Sequence, residues 1–408
     1  MKLVFHDQTF SFELLRTMSY APYGGADIGE CLATAYRIEE GNLESWYAEW
    51  HRTASRMHSL ADESLGRGNR ISAREFYMRA SNYYRTAEFF LHGSPADPRI
   101  LDTWGKSRST FLKAMELSEV KMESVSIPYE GTHLPGYFYR VDDKPRPTLI
   151  VHGGYDSTGE ELYWEVAASA LERGYHCLTF EGPGQGAVIR EHQLPFRPDW
   201  ENVVTPVVDY LLTRPEADPE RLALVGISFG GYLAPRAAAY EHRLAALVAN
   251  DGMFSFRFGE MGRRFHQGSD EEWNDPSFLE AFMHSLMEKS INIRWAVENG
   301  KFTFRVSSIQ ELVAATEPFS LEGAAGLIQC PTLVCEAEAD HFFAGQPQQL
   351  FQALNCLKTF MLFTAEEGAE EHCQFGALLY FNHRMLEWLD GVLNVRPEVP
   401  ASLPPVSQ

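Results

Sequence analysis

The chain has no run approaching the roughly 18 apolar residues of a membrane-spanning helix, so no membrane span is expected. Its opening, MKLVFHDQTFSFELL, lacks the apolar core and small-residue cleavage site of a secretory signal. Basic residues are scarce: 35 Lys and Arg against 56 Asp and Glu leave a formal net charge of −21. Such a surface repels phosphates and anionic lipid, so neither nucleic acid nor membrane is an expected partner, and polyanionic substrates are disfavoured. The six cysteines (Cys31, Cys177, Cys330, Cys335, Cys356 and Cys373) are scattered, with no C-x-x-C pair. That pattern implies no disulfide framework and a reducing, cytoplasmic setting. No His/Cys/Asp cluster has metal-ligand spacing. The glycine-rich loop Gly182 to Gly186 (GPGQG) lacks the Lys-Ser/Thr that follows a phosphate loop. Neither metal nor cofactor is therefore expected. No internal repeat is present.

What the 408 residues do contain is enough for a sizeable core, with 45% hydrophobic and 22% charged residues. Residues 1 to about 118 read as helical. Leu43 to Leu65 carries Trp46, Trp50, Ala54, Met57 and Leu60 at helical intervals. A second helix is expected from about Ser72, with Ser72 as N-cap and Glu75 completing a capping box, and a third runs to about Leu117. This region forms a helical N-terminal or cap domain over 1–118. Most of its many aromatics are core, and its excess of tyrosine suggests that some line a pocket.

From Val120 the periodicity changes. VKMESVSIPYEG and LPGYFYRV alternate and read as an antiparallel pair. TLIV, YHCLTF, LALVG, AALVA, PTLVCE and TFMLF then read as buried strands, most of them separated by helical stretches with short loops. That alternation gives right-handed βαβ units and a mostly parallel, eight-stranded sheet flanked by helices over 119–397. The sheet pattern stops between Phe254 and Leu312, where helical segments rich in Met, Phe and Trp read as a lid insertion at about 254–312. The tail at 398–408 is Pro-rich and reads as disordered.

The chemistry centres on Gly226-Ile227-Ser228-Phe229-Gly230, a G-x-S-x-G between an apolar strand and an Ala-rich helix at about Gly231 to Tyr240. Such a nucleophile elbow puts Ser228 on a strained strand-to-helix turn, with small residues admitting close neighbours and the helix N-terminus favouring negative charge. A serine hydroxyl needs a base, and the base needs an acid to hold its tautomer. Asp340 follows PTLVCE and is the expected acid, with Glu338 as the alternative. His372 follows TFMLF and is the expected base. Three residue types in the order Ser, Asp, His, each just past a strand, are far more specific than any one alone. The two oxyanion N–H donors are expected from Phe229 and from the HGGY loop, with Gly154 preferred and Tyr155 the alternative. His341 is expected to point away from the acid. His152, His176 and His383 read as structural, and Cys373 as a packing residue.

The pieces HGGYDSTGEE, FEGPGQG, GISFGG, EADHFF and EEGAEEHCQFG together resemble α/β-hydrolases of the 2,6-dihydroxypseudooxynicotine hydrolase group. They are similar also to the fungal hydrolases that shorten polyketide pigments and, more distantly, to FrsA-like hydrolases. They cover about the last two-thirds of the chain. The resemblance implies an α/β-hydrolase fold with a helical cap, and cleavage of C–C or ester bonds in a medium-sized aromatic or polyketide-like metabolite. It also implies a homodimer, and at Glu260 a further carboxylate at the site, with Tyr155 and Glu260 as pocket residues. Amide, peptide or thioester hydrolysis, acyl transfer on the same triad, and a non-catalytic role on this fold stay open at this point.

Overall fold

The eight strand-like runs join into one sheet in the computed structural model, which describes residues 1–266 and 268–395. The strands are β1 (Lys121–Tyr129), β2 (Thr132–Arg140), β3 (Arg146–His152), β4 (His176–Phe180), β5 (Ala217–Ile227), β6 (Ala246–Asn250), β7 (Thr332–Ala337) and β8 (Lys358–Phe363). Their spatial order is β1-β2-β4-β3-β5-β6-β7-β8. β2 pairs antiparallel with both β1 and β4, and every other pair is parallel. The central parallel strands are apolar and buried on both faces, which is why their sequences read as continuous runs rather than alternations. Their C-terminal ends point to one edge of the sheet, where loops meet and ligands bind in this class of fold.

The N-terminal third holds α1 (Gln8–Ser19), α2 (Ile28–Ala35), α3 (Leu43–Gly66), α4 (Arg70–Glu88) and α5 (Pro98–Glu116). α3 starts where its apolar period starts, because the Asn42 side chain accepts from the Ser45 N–H at 3.1 Å. Trp46 and Trp50 are fully buried, and the Trp46 indole N–H donates to the Thr86 carbonyl at 2.8 Å. The expected Ser72/Glu75 box is not used. α4 begins two residues earlier, after Asn69, without a side-chain cap bond. Its start follows instead from Gly68, which takes a left-handed φ of 79° and turns the chain directly into the helix.

Between β3 and β4 the expected helix is split. Tyr163–Ala167 is a widened π turn that leads into α6 (Ala168–Glu172). The segments after it are α7 (Gly186–Arg190), α8 (Glu201–Leu212) and, behind the elbow, α9 (Gly230–Ala238). After β6 come α10 (Phe258–Arg263), α11 (Asp270–Trp273), α12 (Pro276–Lys289), α13 (Ile291–Phe304) and α14 (Ile309–Thr316). α15 (Gln346–Ala353) and α16 (Leu378–Val392) flank the last strand. The inserted helices thus run a few residues past the expected limit at Leu312. The Pro-rich tail at 398–408 lies outside the described residues.

Candidate active site

β5 ends at Ile227, and Ser228 turns the chain with φ 61°, a conformation that costs a non-glycine residue on the order of 1 kcal/mol or more. The turn is held because the Ser228 N–H donates to the Asn250 carbonyl at the end of β6, and the Gly231 N–H donates back to the Ser228 carbonyl at 2.6 Å. A β-carbon on Gly226 would sit 2.0 Å from the Gly230 carbonyl oxygen, so the motif's glycine is required by close approach of backbone. The result lifts the Ser228 hydroxyl above the sheet edge.

His372 Nε2 lies 2.9 Å from Ser228 Oγ, and His372 Nδ1 lies 3.1 Å from Asp340 Oδ2. A second carboxylate shares that nitrogen: Asp251 Oδ2 is 3.0 Å from His372 Nδ1. Asp251 directly follows β6, next to the elbow strand, and is fully buried. Its Oδ2 also accepts the Cys373 N–H at 2.7 Å, and its Oδ1 accepts from Gln374 Nε2 at 3.2 Å. It thereby pins the turn at Cys373 and Gln374, both of which have positive φ. Asp340 Oδ1 accepts the Phe342 N–H at 2.8 Å. Burial opposes charge on all three groups, and the pairing decides where it settles. His372 is raised well above the ordinary histidine value despite burial, chiefly because Asp340 favours the imidazolium, with hydrogen bonds from Nδ1 to both aspartates. The Asp340 carboxyl is held below the usual range because His372 outweighs its burial. Asp251 is raised, because burial and the neighbouring Asp340 outweigh the imidazolium.

The N–H groups of Phe229, Gly154 and Tyr155 have no hydrogen-bond partner among the described residues. Gly154 packs on the elbow so tightly that a β-carbon there would lie 2.7 Å from the Phe229 nitrogen. The GPGQG turn braces this loop, since Gln185 Nε2 donates to the Gly153 carbonyl at 2.6 Å. The Tyr155 hydroxyl donates to the Ala296 carbonyl of α13 at 2.8 Å, so its ring closes one side of the site.

A cavity of about 230 Å³ opens over Ser228, His372 and Gly154. Its walls are mainly apolar: Phe12 from α1, Phe256, Phe258, Met283 and Trp295 from the inserted segment, and Phe342. Of the helical N-terminal third, Phe12, Glu13 and Arg16 reach it, and none of that region's tyrosines does. Several of those tyrosines pack inward instead; Tyr20, Tyr77 and Tyr83 are almost fully buried. Glu260 does not line the cavity. It is exposed on α10 and pairs with Arg257 at 3.0 Å. Glu338 accepts the Ala365 N–H at 2.8 Å and serves its own loop. His341 lines the cavity, with neither ring nitrogen bonded among the described residues, and burial holds its pKa down to about 4. His152 is likewise held down to about 4 by burial, and its Nδ1 lies 3.1 Å from the Gly153 carbonyl oxygen. His176 is bonded at both nitrogens to loop backbone. Burial pushes the Cys373 thiol up to about 12, so it stays neutral beside His372. Asp251, His372 and Cys373 bring three metal-type ligand atoms within 4.8 Å of one another. Both nitrogens of that histidine are already committed and the thiol keeps its proton, which does not suit a metal.

A family model described as the alpha/beta hydrolase family matches residues 148–369, more than half of the chain. The chain belongs to the α/β-hydrolase family. An esterase FrsA-like model also matches this hydrolase over residues 29–255, well into the helical third. The hydrolase is 38% identical to hydrolase LUC6 of Fusarium sp, over 97% of this chain and 99% of the relative. It is 36% identical to 20-hydroxy-prefusarin hydrolase FUS2 of Gibberella moniliformis, over 98% of this chain and all of the relative. Among solved structures, 2,6-dihydroxy-pseudo-oxynicotine hydrolase superposes with a TM-score of 0.74 at 20% identity, over 96% of this chain and 99% of that one.

Proposed function

We propose that the hydrolase cleaves an acyl substrate by covalent catalysis at Ser228. The observation that carries this reading is one imidazole bridging a strained serine hydroxyl at 2.9 Å and two buried carboxylates at 3.0 and 3.1 Å. His372 takes the Ser228 proton as Oγ attacks the carbonyl carbon, and Asp340 and Asp251 hold its tautomer and stabilise the imidazolium. The N–H groups of Phe229 and of Gly154, with Tyr155 the alternative to Gly154, receive the developing oxyanion. His372 then delivers its proton to the leaving group, and water releases the acyl chain from Ser228.

The aromatic cavity supports a medium-sized, mainly apolar substrate. The relative named for hydrolysing 20-hydroxy-prefusarin supports a polyketide-like metabolite, with C–C or ester cleavage as the reaction. Labelling of Ser228 by a fluorophosphonate, blocked in Ser228→Ala, tests the nucleophile. Turnover of simple esters with no cleavage of any 1,3-diketone would rule out the C–C form of the reading.

A further inference from the structure

The motif HGGYDSTGEE and the π turn behind it carry Asp156, Glu161 and Glu165, and α1 adds Glu13. Two guanidiniums meet these four carboxyls. Arg16 Nη1 lies 2.8 Å from Asp156 and 3.4 Å from Glu13, and its Nη2 lies 2.8 Å from Glu161. Arg85 of α4 lies 3.1 Å from Glu13, 3.0 Å from Asp156 and 3.2 Å from Glu161. Glu165 is the one carboxyl of the four with no guanidinium in ion-pair range among the described residues.

A hydrogen count then places a proton. The Tyr20 hydroxyl oxygen is 2.9 Å from Glu161 Oε2 and 2.8 Å from Glu165 Oε1. A phenol has one hydrogen, so if both carboxyls were ionised, one contact would join two lone-pair oxygens with nothing between them. One carboxyl is therefore protonated. Glu161 is the ionised one: its Oε2 already receives both guanidiniums and its Oε1 the Thr158 N–H at 2.9 Å. The proton falls to Glu165. Burial and the adjacent Glu161 charge push this group up to about 8, against the pull of Arg16, Tyr20 and Arg85. Cys373, the other titratable group near it, is neutral.

Glu165 also has the right place. It lies within the π turn Tyr163–Ala167, a widening that recurs at functional sites, and it lines the cavity above Ser228. Its second oxygen, Oε2, has no hydrogen-bond partner among the described residues.

We propose that Glu165 is a neutral acid on the wall of the catalytic cavity and forms a subsite for a hydroxyl of the substrate. The proposal rests on the reading of Ser228 as nucleophile. Both short contacts hold a hydrogen only when Tyr20 donates to Glu161 and the Glu165 proton lies on Oε1, so the free Oε2 is the carbonyl-type oxygen of the acid and accepts from a hydroxyl. An anionic group is not the ligand, because the three carboxyls of Glu13, Asp156 and Glu161 already outnumber the two guanidiniums. The substrate class is an apolar acyl compound with a further hydroxyl.

The test compares a medium-chain ester with its 3-hydroxy counterpart, each kcat/KM divided by the rate of alkaline hydrolysis of the same ester. The wild type is expected to favour the 3-hydroxy ester at least tenfold. Glu165→Ala should cut that ratio at least tenfold, and Glu165→Gln, which keeps a neutral donor and acceptor, should restore most of it. An equal loss on both esters in Glu165→Ala, or no preference in the wild type, overturns the subsite. Infrared difference spectra of wild type minus Glu165→Gln at pH 7 decide the protonation state even if the alanine variant does not fold. A missing protonated-carboxyl band supports the proposal, and a missing carboxylate band overturns it. Fluorophosphonate labelling runs in parallel. Unlabelled Ser228 removes the nucleophile reading and the subsite together, whereas labelled Ser228 with an unchanged ester ratio removes the subsite alone.

Discussion

Changing Asp251 to Asn removes one of the two carboxylates that face His372 Nδ1 at 3.0 and 3.1 Å. At about 3 Å and an effective dielectric constant of about 20, a carboxylate and an imidazolium attract by on the order of 5 kcal/mol, equivalent to about 4 pH units. Two features reduce the effect. The Asp251 carboxyl is itself raised by burial and by Asp340, so its charge is only partly available, and Asn keeps an oxygen for the Cys373 N–H. A shift of about 1–2 pH units is left. Its sign follows from the chemistry. In the proposed reaction neutral His372 is the base, so activity is lost as pH falls through the raised His372 value. Removing Asp251 lowers that value, and the acid limb of kcat/KM moves down by the same 1–2 units. Asp340 remains, so the plateau should fall by no more than about tenfold. Asp340→Asn should cost about a hundredfold, and the double variant about 10⁴-fold, the scale set by an imidazole with no acid behind it. Stopped-flow or steady-state kinetics on an activated ester between pH 5 and 9 would give all four profiles. A Asp251→Asn profile superimposed on the wild type, together with the whole 10⁴-fold loss in Asp340→Asn alone, would refute the shared role.

Three other outcomes follow from the geometry. Glu165 titrates near pH 8 in the folded chain against 4.5 in the unfolded one, so the folded state holds the proton longer and stability falls as pH rises between those values, by up to about 1.4 kcal/mol per pH unit. Glu165→Gln should therefore raise the Tm at pH 8 and leave it unchanged near pH 4.5 in calorimetry; parallel pH dependences would contradict this. Gly226→Ala forces a methyl to within 2.0 Å of the Gly230 carbonyl oxygen and 2.6 Å of Ala234 Cβ, and should cost about 3 kcal/mol in denaturant unfolding, with loss of Ser228 labelling. Glu260→Ala should leave kcat/KM within about twofold of wild type, since an exposed pair with Arg257 contributes at most about 1 kcal/mol; a large loss would show that α10 closes over the site during turnover.

The parts of the fold legible in the sequence were those with a local signal. Each parallel strand announces itself as a short apolar run, and Ser228, Asp340 and His372 are legible because each follows such a run. Asp251 carries the same signal, as Asn250-Asp251-Gly252 at the C-terminal end of the strand beside the elbow, but Asp340 already fills the acid's place in the Ser, Asp, His order. Ser72 and Glu75 form a good capping pattern, yet α4 starts earlier because the left-handed turn at Gly68 acts first. The Glu165 wall was out of reach altogether. Its proton depends on Arg16 and Arg85 and on Tyr20, itself 145 positions away in the chain, and no periodicity encodes a partner at that separation.

The guanidiniums of Arg16 and Arg85 have a consequence for how the molecule can be taken apart. They belong to the helical third, yet two of the three carboxylates they pair with sit on the loop that leads out of β3. Cutting the chain near residue 118 would leave Asp156 and Glu161 buried without counter-ions on one fragment and two guanidiniums with Glu13 alone between them on the other, at several kcal/mol per uncompensated charge. Neither fragment is then a viable module. A chimera that borrows a foreign N-terminal third would inherit the new roof only by importing Arg16, Tyr20 and Arg85 with it, so selectivity and foldability are encoded in the same few side chains.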